Sequence, residues 1–173
     1  APRRLEISDW QLGPPDLVIQ APKSVAVPPD GPDIFWNFIL SPQIQHTRYV
    51  KAIEIRPGNT RVVHHANVVI DRAGSSRRLE QAAGGGFPGM DLTFESDTFD
   101  PDTHFLFWKA GGVPRVEPEG LSWRLDPGND LVLNVHLRPS GKPETVRPVV
   151  GLYFADKPPA KTPMLVKLEN DRA

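Results

Sequence analysis

Cysteine is absent from the 173 residues of this chain. That absence excludes a disulfide framework and any metal site built on thiolate ligands. It also excludes a blue-copper electron-transfer site, because such a site requires a cysteine ligand. Any metal in this protein must therefore be bound by histidine, carboxylate or methionine side chains, and the chain has five histidines and two methionines.

Long apolar runs and a strong net charge are missing as well. No run approaches the roughly 18 apolar residues from which a membrane-spanning helix is made. The formal net charge is -1, which gives no reason to expect nucleic acid or an anionic membrane as a partner. The opening residues, APRRLEISDW, lack the apolar segment of a signal peptide, although a mature chain would have lost such a leader.

Helical periodicity is the third absence. No window of about 11 residues or more shows apolar side chains at helical spacing. The segment SSRRLEQA, at 75–82, is predicted to form a short helical turn at most. The hydrophobic share of 39% and the charged share of 24% are nevertheless those of an ordinary globular protein that can bury a core. The core must therefore be built from strands.

Proline and glycine are abundant, with 20 and 14 residues, and they fall in clusters typical of turns. Between these clusters lie short runs rich in Val, Ile, Leu, Phe and Trp, a composition typical of strands. The predicted strands are DLVIQ, IFWNFIL, RYVKAIEI, RVVHHANVVI, HFLFWKA, DLVLNVHL and VVGLYFA. Many short strands with frequent turns predict an all-β fold, an antiparallel β-sandwich of the jelly-roll type. Because the sequence shows no repeat and no long linker, we expect residues 1–173 to form a single domain.

The clearest predicted strand lies in DLVLNVHLRPSG (130–141) and contains a histidine. Alternate residues of a strand share one face of the sheet. The apolar set must face the core, and it comprises Leu131, Leu133, Val135 and Leu137. The other set comprises Val132, Asn134 and His136. We therefore expect His136 to point away from the main core, an orientation that also fits an ordinary solvated histidine.

Two adjacent histidines, His64 and His65, lie within TRVVHHANVVID (60–71), a segment that otherwise resembles a strand. Neighbouring side chains of a regular strand point to opposite faces of the sheet. Either the pair is incidental, or the strand is bulged, twisted or ending there so that both rings can reach one object. The residue pattern alone leaves both interpretations open.

The segment RYVKAIEIRPGNTRVVHHANVVID (48–71), followed by DLVLNVHLRPSG, resembles the N-terminal domain of the ascorbate-dependent type II copper monooxygenases. Peptidylglycine α-hydroxylating monooxygenase and dopamine β-monooxygenase typify this family. Its His-His pair matches His64 and His65, and its third ligand, in a motif of the form L-Q-V-H-Y, matches His136 in LNVHL. The resemblance covers roughly residues 34–170 and is closest to bacterial members, which lack the dense disulfides of the animal enzymes.

The resemblance implies one type II copper bound by His64, His65 and His136, with ascorbate as the reductant. In the family this copper receives electrons from ascorbate and passes them across a solvent-filled cleft to a second copper. The second copper belongs to another β-sandwich domain, which holds it through a His-x-His pair and a Met and also binds oxygen and substrate. We expect the present chain to be the electron-supplying, N-terminal half of such a two-domain protein, periplasmic or secreted and unable to hydroxylate alone. The copper should lie on an open sheet face, where the second domain would pack across it.

Two residues near the predicted site differ from the family's pattern, and both could alter the hydrogen bonding around it. The family's Gln two places before the third histidine is Asn134 here, and its following Tyr is Leu137. Neither departure removes a ligand. Groups in a second layer around a metal fix the tautomers of its histidine ligands, and Asn67, Asn134 and nearby backbone carbonyls are the candidates for that role.

Two other classes of function stay open. Three histidines and a water molecule also form a catalytic zinc arrangement, so a zinc hydrolase is one alternative. Its weakness is the general base, for which Asp71 and Glu54 are merely available. The other alternative is a non-enzymatic adhesion or carbohydrate-binding module with a β-sandwich fold, in which the histidines are incidental.

The remaining histidines and the methionines receive structural interpretations. His46 and His104 are predicted to be solvated, and His104 is the more able of the two to approach the metal if its strand neighbours that of the third ligand. Met90 and Met164 are interpreted as structural residues, because no His-x-His pair accompanies either of them.

Overall fold

The structure, a computed structural model, describes residues 10–80, 84–90 and 104–161, with the backbone alone described at 104–107. Within those ranges it contains eleven strands and one short helix. In chain order the elements are β1 (Leu17–Gln20), β2 (Val25–Val27), β3 (Ile34–Leu40), β4 (Arg48–Arg56), β5 (Val63–Asp71), α1 (Ser75–Leu79), β6 (Gly86–Pro88), β7 (His104–Lys109), β8 (Trp123–Leu125), β9 (Asp130–Leu137), β10 (Glu144–Val146) and β11 (Val149–Phe154).

The strands of the described residues form two large sheets and one small sheet. The five-stranded sheet has the order β6-β3-β9-β5-β7, and the four-stranded sheet has the order β1-β11-β4-β8. The third sheet is the pair β10-β2. All of these strand pairs are antiparallel. The prediction of an all-β, antiparallel architecture is therefore confirmed.

One large hydrophobic core joins the two larger sheets. The five-stranded sheet contributes Phe38, Val68 and Leu133 to it, and the four-stranded sheet contributes Val50 and Leu152, each at most 1% exposed. Fully burying a side chain of this kind contributes about 1.5–3 kcal/mol. The two sheets are thus held together by the apolar surface that they remove from water.

The seven predicted strands are all present, with bounds that differ from the prediction by two residues at most. The four strands that the sequence pattern missed are β2, β6, β8 and β10, which have three residues each. Three residues are too few for alternation to become visible. The helical turn predicted at 75–82 is the five-residue α1, and no helix in the described ranges has the length and apolar character that a membrane crossing requires.

The alternation in β9 is confirmed on its core face. The residues predicted to face the core are at most 1% exposed, and they are Leu131, Leu133, Val135 and Leu137. Two residues on the opposite side are also buried, since Val132 is 0% and Asn134 is 2% exposed. The outer face, as we call the side of the five-stranded sheet that points away from the core, is therefore only partly open.

The helix α1 lies against one end of this outer face. Arg77 donates two hydrogen bonds to the carboxylate of Asp130, at 2.7 Å from Nε and 2.8 Å from Nη2. The carboxylate of Asp71 accepts bonds from the backbone N–H groups of Ser75 and Ser76, at 3.2 and 2.7 Å, and from both hydroxyls. The last residue of β5 and the first residue of β9 thus anchor the helix.

Together with α1, the strand β6 covers part of the outer face. Phe87 packs with Ile39 and Val132 in a small apolar cluster on the outer face. Close approach of β6 to β3 depends on Gly86, because a Cβ atom at that position would stand 2.1 Å from the carbonyl oxygen of Asn37. A glycine is therefore required at the end of the GGG sequence.

The cover ends at a pair of buried asparagines. The side-chain amide of Asn134 donates to Asn37 Oδ1 at 2.8 Å and to the carbonyl oxygen of Gly89 at 3.1 Å. Asn37 donates to the same carbonyl oxygen at 3.1 Å. Beyond this pair the sheet continues to His136, and neighbouring His64 is exposed. The open part of the outer face therefore coincides with the histidines.

Replacing Asp71 by Asn should destabilise the fold at neutral pH. The carboxylate accepts four bonds from Ser75 and Ser76, whereas an amide offers one acceptor oxygen, and each buried donor left unpaired costs about 1–3 kcal/mol. The measurement is urea unfolding of the wild type, Asp71→Asn and the exposed control Asp156→Asn. We expect the control to match the wild type.

The deficit of Asp71→Asn should shrink in acid. Burial raises the pKa of Asp71, but the hydrogen bonds from Ser76 and Ser75 outweigh it and hold the pKa below the usual 3.8. Stability from this carboxylate is therefore present above pH 3.8 and is lost as the pH falls through the lower value of the folded chain. A deficit of the same size at neutral pH and at a pH low enough to protonate this carboxylate in the folded chain would contradict this assignment.

Candidate metal centre

A bulge in β5 brings both adjacent histidines to one side of the sheet. In the pairing of β5 with β9, Val63 lies opposite Leu137 and His65 lies opposite His136, so His64 is an extra residue between two pairs. An inserted residue of this kind bends the strand and redirects its side chain. The strand is therefore bulged at His64, one of the irregularities predicted to let both rings reach one object.

Three imidazole nitrogens meet at this bulge. His64 Nδ1 lies 3.2 Å from His65 Nδ1 and 3.2 Å from His136 Nδ1, and the third side of the triangle is 3.4 Å. Three nitrogen ligands at about 2.0–2.1 Å from one ion lie about 3.3–3.6 Å apart in tetrahedral to planar arrangements. The triangle is therefore close to the size that a single metal ion requires.

The three histidines differ in exposure. His64 is exposed and His65 is partly buried, whereas the side chain of His136 is 11% exposed. Within the described part of the chain, these three residues are the group of histidine and carboxylate side chains able to hold one ion. The site is thus accessible from solvent on the side of His64 and supported by the sheet on the side of His136.

The residues that surround His136 include a carboxylate that sequence analysis missed. Asp33, which immediately precedes β3, lies 2.7 Å from His136 Nε2 through its Oδ2. Phe35 stacks on the same imidazole, with ring centroids 4.4 Å apart and planes inclined by 6°. Arg138 Nε lies 3.7 Å from the other oxygen of Asp33. The sequence signal was weak, because 103 residues separate Asp33 from His136.

The asparagines predicted to support the ligands have other positions. Asn134 donates both of its described hydrogen bonds away from the histidines, to Asn37 and Gly89, so the prediction that it fixes a ring tautomer is wrong. Asn67 lies opposite Asn134, one row of the sheet away from the pair formed by His65 and His136. The carboxylate of Asp33 occupies the supporting position instead.

The structure describes the side chain of His46 and only the backbone of His104. β7 pairs with β5 rather than with β9, so the prediction that the strand of His104 neighbours that of His136 is wrong. The backbone of His104 lies opposite Val69, whereas His65 lies opposite Lys109. His46 is exposed, as its interpretation as a solvated residue requires.

The structure describes one of the two methionines, Met90. Met90 is 69% exposed at the surface. Met164 lies outside the described residues. The interpretation of Met164 as a structural residue therefore stays a prediction.

The electrostatics of the cluster disfavour protonation. Burial lowers the pKa of His65 below 6.5, and the positive charges that His136 and His64 would carry lower it further. A histidine binds a metal as the neutral ring. The environment of His65 therefore keeps it in the form that can act as a ligand.

In the metal-free chain, His65 should titrate below pH 6.5, as followed by the NMR shifts of its ring protons. Because the pKa is lower in the folded chain, the unfolded chain takes up this proton first as the pH falls. His65 should thus reduce stability progressively below pH 6.5, with the full effect reached below its folded pKa. A His65→Gln variant should lose less stability than the wild type between neutral pH and about pH 5. A His65 titration above 6.5 would contradict this reasoning.

Comparison with known proteins gives no relative from which the site could be interpreted. A scan against protein-family models finds no match to this chain, and a search of curated proteins finds none either. The described features are three converging imidazoles, one carboxylate and one stacked aromatic ring. They define a candidate three-histidine metal centre on the open part of the outer face.

Proposed function

We propose that this chain is the copper-binding, electron-supplying domain of an ascorbate-dependent copper monooxygenase-like protein. One type II copper would be bound by His64, His65 and His136. The observation that carries the proposal is the convergence of three Nδ1 atoms within 3.2–3.4 Å of one another. A contact between two ring nitrogens is favourable when one of them carries a proton, and a neutral imidazole has only one N–H. Without a cation, at least one of the three contacts brings two unprotonated nitrogens or two N–H groups together. A cation bound by all three lone pairs removes this repulsion.

The donor set is suited to copper. Imidazole is a good ligand for copper, zinc, iron and nickel, and the resemblance of the His-His pair and of LNVHL to the copper monooxygenases favours copper among these. When bound, copper supplies one-electron chemistry by alternating between Cu(II) and Cu(I). The chain itself holds the ligands: β9 and β5 set their spacing, and the bulge brings His64 to the same side of the sheet.

The open part of the outer face supports exchange of electrons with another molecule. His64 is exposed, and so is Lys109, which lies opposite His65 on the neighbouring strand. Ascorbate is the proposed reductant, and a second, oxygen-binding copper domain is the proposed partner across this surface. The proposal also includes jelly-roll connectivity for the sandwich, which the pattern of short strands and turns predicts, and a periplasmic or secreted location.

The alternative of a zinc hydrolase uses the same ligands but also needs a general base. Asp71 is buried and engaged by four hydrogen bonds at the far end of β5. Glu54 is 4% exposed, lies on β4 of the other sheet and accepts the backbone N–H of Gln11 at 2.9 Å. Neither carboxylate is placed to activate a water molecule on the three histidines. We therefore favour electron transfer over hydrolysis.

The wild-type chain should bind one Cu(II) ion, with a type II electron paramagnetic resonance spectrum that shows nitrogen couplings. His136→Ala should weaken Cu(II) binding by more than the roughly 10–100-fold that loss of a supporting residue costs, because it removes a ligand itself. The exposed histidine variant His46→Ala is the matched control and should bind as the wild type does. Binding should weaken below about pH 6, because the ligands must be neutral imidazoles.

Equal Cu(II) affinities of His136→Ala and His46→Ala would show that the histidine cluster is not the site of Cu(II) binding. An affinity that stays constant between about pH 5 and 8 would indicate carboxylate ligands instead.

Ascorbate should reduce the copper-loaded chain without hydroxylating a substrate. Under anaerobic conditions we expect the Cu(II) spectrum to disappear with uptake of one electron per bound ion. No product should form from a glycine-extended peptide or a phenethylamine, since the proposal assigns oxygen and substrate binding to another domain. The measurement compares product formed with ascorbate consumed in air. Product in stoichiometric amounts would show that this chain carries the hydroxylation chemistry itself.

A further inference from the structure

We infer that Asp33 is a positioning residue of the metal centre. Its carboxylate holds the proton of His136 on Nε2 and thereby directs the lone pair of Nδ1 toward the ion. The inference rests on the proposed function, because it concerns how the same three histidines are prepared for a metal.

The first step is the hydrogen bond itself. Asp33 Oδ2 lies 2.7 Å from His136 Nε2, a distance typical of a charge-assisted bond between N–H and a carboxylate. An ionised carboxylate accepts hydrogen bonds but cannot donate them. The proton of a neutral His136 must then lie on Nε2, which leaves Nδ1 as the unprotonated nitrogen.

The second step is the direction in which that nitrogen points. His136 Nδ1 lies 3.2 Å from His64 Nδ1 and 3.4 Å from His65 Nδ1. With the opposite tautomer, a proton on His136 Nδ1 would occupy the space among the three nitrogens. The contact with Asp33 thus selects the tautomer that the centre needs. Carboxylates that accept from the remote nitrogen of a metal-bound histidine are a recurrent arrangement in metal sites.

The third step is the orientation of the ring. Phe35 lies opposite His136 in the pairing of β3 with β9 and stacks on its face. Asp33 precedes Phe35 by two residues, the spacing that places side chains on one side of an extended chain. A single segment therefore holds His136 at both its face and its Nε2 edge. The ring is prepared before any ion arrives.

The fourth step concerns the carboxylate. Its side chain is 42% exposed, so water can approach it and its ionised form carries no large burial cost. Arg138 Nε stands 3.7 Å from Oδ1 with its own side chain 61% exposed, so it contributes little as an ion pair. Replacement of Asp33 should therefore change the metal centre without disturbing the fold.

The test begins with the metal-free, nitrogen-15-labelled chain. Long-range proton–nitrogen NMR correlations at about pH 8, above the usual histidine pKa of about 6.5, report which ring nitrogen carries the proton. We expect His136 to be protonated on Nε2 in the wild type and to populate both tautomers in Asp33→Ala. Asp33→Asn should keep the Nε2 tautomer, since the amide oxygen still accepts a hydrogen bond. The control Asp30→Asn removes the same charge at an exposed position nearby and should leave the tautomer unchanged.

The second measurement is the affinity for Zn(II) and for Cu(II), determined by competition with a chelator. Asp33→Ala should bind both ions about 10–100-fold more weakly than the wild type, with Asp33→Asn between the two and Asp30→Asn equal to the wild type. Thermal unfolding of each variant shows whether its fold is intact.

Three outcomes would overturn the inference: an Nδ1 proton on His136 in the wild type, an Asp33→Ala chain with unchanged tautomer and affinity, or an equal loss in Asp30→Asn. The proposed function fails separately, if the wild type binds neither ion or if its copper accepts no electron from ascorbate. In that case the tautomer of the metal-free chain still decides whether Asp33 places the proton.

Discussion

The pairing of β5 with β9 is the constraint on which the rest of the site depends. His65 lies directly opposite His136, and the Cβ atoms of such a pair lie about 4.5–5.5 Å apart. A shift of one residue would move His136 to the core and its leucine neighbours to the outer face. Because Leu133 and Leu137 are completely buried, the core resists that shift. The apolar face of β9 thus fixes the spacing of the histidines on its opposite face.

The bulge at His64 adds the third nitrogen to this pair. A regular strand would direct His64 and His65 to opposite sides, and the extra residue removes that separation. Two of the three candidate ligands therefore come from one irregular point in a strand, and the third comes from a regular one. The irregularity is small enough that the ladder continues on either side, from Val63 to Asp71.

The rest of the outer face determines how accessible the centre is. α1 and β6 cover the end near Asp130 and Ile39, and the pair of asparagines closes this cover against the open end. Three adjacent strands then build the candidate centre, since β5 and β9 carry the candidate ligands, and Phe35 of β3 and the preceding Asp33 contact His136. Side chains held on packed strands keep a more constant geometry than side chains on loops. An exposed His64 on such a rigid base is compatible with the electron exchange that we propose for this centre.

The sequence by itself determined the kinds of site that are excluded, the all-β class and the side of β9 on which His136 lies. These conclusions depend on composition and on alternation within one strand, which are local properties. The sequence posed a bulged, twisted or ending strand at the histidine pair, and the tertiary structure shows the bulge, because a bulge exists only relative to the partner strand. Strand order likewise separated His104 from the centre and brought Asp33 to His136 across 103 residues. The burial of Val132 and Asn134 beneath β6 and the residue that follows it, Gly89, also depends on contacts between segments that are distant in the sequence. Contacts between distant segments are selected by packing of the whole core, and no short stretch of residues encodes them.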